Sequence, residues 1–126
     1  MLLESPVMPE SAPVEVLSVE GLTVVRPSPA IANLFEAQLE HLVIVTTLAE
    51  SVTPPRLIVD LQHVKIIGSA FLGRMVAVHR ILDARPNGRL AMCNLNTFCS
   101  AALGVSKLDS VLSIYPTVAD AVAALK

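Results

Sequence analysis

The stretch Leu57–Arg85, LIVDLQHVKIIGSAFLGRMVAVHRILDAR, changes its hydrophobic period once, and that change limits what the chain can fold into. Leu57 to Leu61 is apolar apart from Asp60. After a polar break at Gln62-His63, apolar character resumes at Val64, Ile66 and Ile67. A run of this kind reads as a buried strand. Gly68-Ser69 stops it. Beyond that point Phe71, Met75, Val78 and Leu82 recur at helical spacing on one face. Leu72, Val76 and His79 widen the face, while Arg74, Arg80 and Asp83 fall where they reach water. Ser69 stands where an N-cap belongs, its hydroxyl placed to accept an orphan backbone N–H. A hydroxyl at the joint of strand and helix is the candidate chemical site of the chain.

The flanking sequence extends the pattern. Residues 1–13 carry Pro6, Pro9 and Pro13 among Ser and Glu, which predicts a mobile tail ahead of a single domain over 14–126. Val14–Val19 and Leu22–Arg26 read as strands joined by a tight turn at Glu20-Gly21, an antiparallel hairpin. Ala30 to about Glu50 reads as a helix, with Ile31, Leu34, Phe35, Gln38, Leu42, Val45 and Ala49 on or near one face. The β-branched run from Val43 to Thr47 works against it. Two readings of 42–49 stand, a buried helix face and a partner surface. Pro86-Asn87-Gly88 ends the central helix, and Arg89–Leu95 is a buried strand. Thr97 is placed to cap a short helix, Phe98 to Leu103, closed by Gly104. Val111–Tyr115 is a last strand. Thr117 and Asp120 form an acidic capping box for a final helix with Val118, Ala121, Val122 and Leu125 on its apolar stripe. The order β-β-α-β-α-β-α-β-α predicts an α/β domain with a mixed, largely parallel sheet and helices mainly on one face.

Composition removes several function classes. Hydrophobic residues make up 53% of 126, so the core has ample material, and aromatics are only 3%, so that core is aliphatic. A net charge of −2, with Lys and Arg dispersed, gives nucleic acid nothing to bind. Mean hydropathy is +0.65, yet no apolar run approaches the roughly 18 residues of a membrane span, so no membrane insertion is expected. The N-terminus lacks the basic and apolar regions of a signal peptide, which points to a cytoplasmic protein. Cys93 and Cys99 read as two buried or half-buried thiols rather than a disulfide. His41, His63 and His79 show no ligand spacing with either Cys, so neither metal nor other cofactor is expected.

Catalysis needs a constellation that the sequence does not supply. There is no G-x-S-x-G around Ser69, no phosphate-binding loop and no dinucleotide fingerprint. His79 lies almost three helical turns beyond Ser69, roughly 15 Å at about 1.5 Å per residue, too far to act as its base. Asp60 reads as a loop-bonding or edge carboxylate, and Arg74 and Arg80 as solvated helix positions. Ser69 has two readings. One is a plain N-cap. The other is a phosphorylation site, where the helix dipole and free N–H groups favour a phosphate that repels a docked partner.

The run Gly68-Ser69-Ala70-Phe71-Leu72-Gly73 resembles the D-S-[ST]-G-L-G loop of the STAS domains, the anti-sigma factor antagonists. LIVDLQHVKII resembles that family's V-x-D-L-x-x-V-x-x-[ILM] strand, RLAMCNLN its next strand, and TVADAVAAL its closing helix. The resemblance covers about residues 14–125. It implies a STAS-like mixed sheet, no enzymatic activity, and a partner that is both anti-sigma factor and serine kinase. It makes Ser69 the matching phosphoacceptor, with a PP2C-type phosphatase reversing the modification. The implied docking surface is Ser28, Gly68, Ser69, Ala70, Phe71, Leu72 and Arg74. The alternative it leaves is a scaffold or transport-accessory module without a switch, with oligomers allowed. The chain departs from the pattern where Gly68 replaces Asp, Ala70 the second hydroxyl and Phe71 Gly, and where Arg26-Pro27-Ser28-Pro29 replaces an acidic G-[DE]-x-D stretch. Phe71 is expected to add an apolar contact to the docking surface.

Overall fold

The structure is a computed structural model that describes residues 14–34 and 42–126. The hairpin forms as expected. Strand β1 (Val14–Val19) pairs antiparallel with β2 (Leu22–Pro27), and both turn residues take positive φ, Glu20 at 50° and Gly21 at 83°. That double left-handed turn matches the twist of the strands it joins. Strand β4 (Arg56–Asp60) then pairs parallel with β2, β6 (Arg89–Cys93) with β4, and β7 (Ser113–Tyr115) with β6. The five-stranded sheet therefore runs β1-β2-β4-β6-β7 and is parallel except for β1.

Alternation along the central strands divides the core in two. Val25, Leu57, Val59, Leu90 and Met92 point to one face. Helices α1 (Val43–Ser51), α2 (Ser69–Asp83) and α3 (Thr97–Val105) cover it with Val45, Ala49, Phe71, Met75, Val78, Leu82 and Leu103. Leu22, Val24, Ile58, Ala91 and Cys93 point to the other face, where α4 (Val118–Leu125) lays Ala121, Val122 and Leu125. Among the described residues the helices thus lie mainly on one face, and α4 alone crosses to the other. Its capping box forms as predicted. Thr117 Oγ1 accepts from the Asp120 N–H at 3.1 Å and lies 2.9 Å from the Asp120 carboxylate.

Four expectations are corrected. Ala30–Leu34 is not helical: Pro29–Ile31 is a single 3-10 turn, and Asn33-Leu34 forms β3, parallel to β5 (Ile66-Ile67) in a separate two-stranded sheet. The backbone there bonds across rather than along the chain, with Lys65 N–H on the Ala32 carbonyl at 2.7 Å and Gly68 N–H on the Leu34 carbonyl at 3.0 Å. Phe35, Gln38 and the rest of 35–41 lie outside the described residues, as does the expected tail over 1–13. Of the 42–49 stretch, Leu42, Val45 and Ala49 are buried and Val43 is exposed, so it is mainly core. Second, 57–67 is two strands, because the chain leaves the main sheet after Asp60 and turns at Gln62-His63. Third, α3 is capped by Asn96, whose Oδ1 accepts from the Cys99 N–H at 2.8 Å. It runs through Gly104 and is followed by Lys107 in the left-handed region at φ 63°. The last strand is correspondingly shorter than expected, because Leu108–Ser110 forms a 3-10 turn.

Candidate functional site

Ser69 is the first residue of α2, not its cap. Gly68 holds the cap position in extended backbone (φ −108°, ψ 174°) because its N–H is bound to Leu34 and its carbonyl already accepts from the Leu72 N–H at 3.2 Å. Glycine brings no side-chain acceptor, so no side chain caps this helix. The first N–H groups of this 15-residue helix therefore have no side-chain acceptor, and the positive end of the helix dipole lies at the serine. The Ser69 side chain is exposed.

Beside this corner lies an open apolar groove of about 430 Å³. One wall is Ile67, Gly68, Ser69 and Leu72; the other is Phe98, Ala101, Ala102, Val105 and Ser106 of α3 and its end. Phe98 is 51% exposed and Val105 86%. The second wall was missed at the sequence level, although Phe98, Ala101, Ala102 and Val105 recur at helical spacing. They form a stripe next to the one that buries Cys99 and Leu103.

The expected docking residues divide. Gly68, Ser69 and Leu72 meet at the groove. Ala70 is half-buried against the core. Phe71 is fully buried beneath it, so its expected contribution to a docking surface is corrected: helical spacing aims it at the sheet with Met75, Val78 and Leu82. Ser28 is also buried, and its Oγ is occupied in capping the 3-10 turn, accepting from the Ala30 N–H at 3.2 Å. Arg74 is half-buried toward α1, with Nη1 3.5 Å from Thr46 Oγ1. Neither Ser28 nor Arg74 lines the groove.

Asp60 is fully buried and bonds the adjoining loop and its neighbours. Its Oδ2 accepts from Arg26 Nε at 2.8 Å, and its Oδ1 from the Gln62 N–H at 3.0 Å and Asn94 Nδ2 at 2.9 Å. Cys93 and Cys99 are free and buried. Burial, and secondarily the Asp60 charge, push the Cys93 thiol up to about 12 against the pull of Arg26. Burial raises Cys99 too, opposed by a hydrogen bond to its sulfur from the Asn96 backbone. Both thiols are therefore poor nucleophiles. Among the described residues no cluster of His, Cys, Asp and Glu is arranged to hold a metal ion, and no helix is long and apolar enough to cross a membrane.

No protein-family model and no curated protein matches the sequence. Solved structures do match. An anti-sigma-factor antagonist (STAS) domain protein from Planctomyces limnophilus superposes with a TM-score of 0.83 at 23% identity, over 89% of this chain and 97% of that one. An anti-sigma factor antagonist from Mycobacterium paratuberculosis superposes with a TM-score of 0.78 at 24% identity, over 94% of this chain and 97% of that one. The sheet order, the strand–Gly-Ser–helix corner and these superpositions agree: the chain has the fold of the STAS, or anti-sigma factor antagonist, domains.

Proposed function

We propose that this chain is a non-enzymatic regulatory module that docks an anti-sigma factor, itself a serine kinase, through the groove beside Ser69, and that phosphorylation of Ser69 releases it. The observation that carries the reading is an exposed serine on the lip of an apolar groove, at the uncapped start of a long helix. A phosphate there meets free N–H groups and the helix dipole, so the fold tolerates it. The same phosphate sets nearly two negative charges beside Leu72 and Phe98, and the desolvation that docking demands then becomes costly. Gly68 in place of the family Asp leaves the start of the helix without a carboxylate. The docking residues in this reading are Gly68, Ser69, Leu72, Phe98 and Val105, and a PP2C-type phosphatase resets the switch in the cytoplasm.

Intact mass of the protein from its own cells, with and without phosphatase, tests the switch. A species about 80 Da heavier, localised to Ser69 and removed by the phosphatase, supports it. A Ser69→Asp variant that captures the same kinase as tightly as wild type overturns it. The second reading, a scaffold or transport-accessory STAS module with no switch, is favoured by the same Gly68 if the kinase must recognise the Asp. Its sign is a stable non-kinase partner whose binding ignores changes at Ser69.

A further inference from the structure

The two walls of the groove come from segments far apart in sequence, and one side chain ties them. Asn96 Nδ2 lies 3.0 Å from the Lys65 carbonyl and 3.3 Å from that of Val64, in the loop that leads to Ser69. The Oδ1 of the same amide caps α3 through the Cys99 N–H at 2.8 Å. On its far side the loop is held by β3, with Lys65 N–H on Ala32 and Gly68 N–H on Leu34. The Lys65 peptide is thus gripped at both ends, its N–H by Ala32 and its carbonyl by Asn96. An amide serves here because it carries a donor and an acceptor on one rigid plane; an aspartate cap supplies only the acceptor, and a serine holds its donor and acceptor on one atom, one bond closer to the backbone.

We propose that Asn96 is the positioning residue of the Ser69 groove, setting how the serine-bearing loop stands against α3. The inference rests on the docking reading of the groove for its significance, but its geometry does not need a partner. The bridge explains why the chain uses Asn rather than any other good cap. It also makes the mouth of the groove depend on a residue outside both of its walls.

Two variants separate the bridge from the cap. Asn96→Asp and Asn96→Ser both keep an acceptor for the Cys99 N–H; the carboxylate has no donor for Val64 and Lys65, and the serine hydroxyl, one bond shorter, carries its donor away from them. Hydrogen exchange is measured amide by amide in the whole chain. The expected result is that the Lys65 and Gly68 amides exchange at least about fivefold faster while the Cys99 amide stays within about twofold of wild type. The same change in a Ser69→Cys background is read by reaction with dithiobis(nitrobenzoate). The native thiols are buried, so position 69 carries the reactive one. The labelling rate there is expected to change severalfold with Asn96→Asp. Unchanged exchange at Lys65 and Gly68 overturns the proposal, and so does altered exchange with unchanged labelling, since the bridge would then hold the loop without positioning the site. If one variant fails to fold, the other decides. Neither readout involves a kinase, so a failed phosphoswitch and a failed bridge are told apart.

Discussion

Arg26 Nε donates to Asp60 Oδ2 across 2.8 Å, linking the ends of two parallel strands on a carboxylate that has no exposed surface. Arg26 itself is partly open to solvent and also reaches Glu15 at 3.6 Å. The pair is therefore asymmetric: the acid is dry, the base is not.

Removing the base strands a buried charge, and removing the acid strands donors. Arg26→Met is expected to cost about 2 kcal/mol and Asp60→Ala about 3 kcal/mol, with the double variant Arg26→Met/Asp60→Ala costing clearly less than their sum. Urea denaturation of the four proteins measures the coupling. Strict additivity would mean that the remaining donors, Gln62 N–H and Asn94, satisfy Asp60 without help.

Phe71 and Phe98 should behave oppositely. Phe71→Ala opens a cavity under α2 and is expected to lower stability by about 3–5 kcal/mol. Phe98→Asp, at a half-exposed position, is expected to stay within about 0.5 kcal/mol of wild type while abolishing capture of a groove-bound partner. Thermal melts paired with pull-downs check both halves.

Two glycines make a second contrast. At Gly88 a methyl group would meet the Leu82 carbonyl oxygen at 1.7 Å, so Gly88→Ala must displace backbone and is expected to destabilise by more than about 2 kcal/mol. Gly73 lies inside α2 with open space around it, and Gly73→Ala is expected to stabilise by about 0.5–1 kcal/mol through helix propensity. Denaturant midpoints of the two variants should move in opposite directions.

The Cys93 thiol gives stability an alkaline limit. Its ordinary value of 9.0 is raised in the fold to about 12, so between those values the unfolded chain has lost a proton that the native one keeps. The contribution is whole below about pH 9 and is lost as pH rises toward 12, because there the native state binds more protons. A Cys93→Ala variant should show a shallower fall in stability over that range. In the native protein at pH 8 dithiobis(nitrobenzoate) should label neither cysteine until denaturant is added.

Much of this architecture was legible because its signals are long or chemically specific. The hairpin, β4, helix α2, β6 and the Thr117–Asp120 box each announce themselves over several residues. Strand β3 does not, and β5 shows only as apolar strand character at Ile66-Ile67, since two residues carry no period and their pairing is a tertiary event. Asn96 and Thr97 are adjacent and both are good caps; only the donor half of the amide, which needs Val64 and Lys65 nearby, separates them. The site was half legible. Ser69 stood out through the break in period, but Phe71 was assigned both to the buried stripe and to the docking surface. One side chain cannot do both, and burial won.

The β3–β5 ladder has a mechanical consequence. It holds the serine corner through two paired residues on each strand, apart from the five-stranded sheet. Segments held by few backbone bonds can open locally at less than the free energy of global unfolding. Lifting the Ser69 corner means breaking that small ladder and the Asn96 bridge, neither of which is part of the five-stranded sheet. The corner is a tab that lifts without tearing the page.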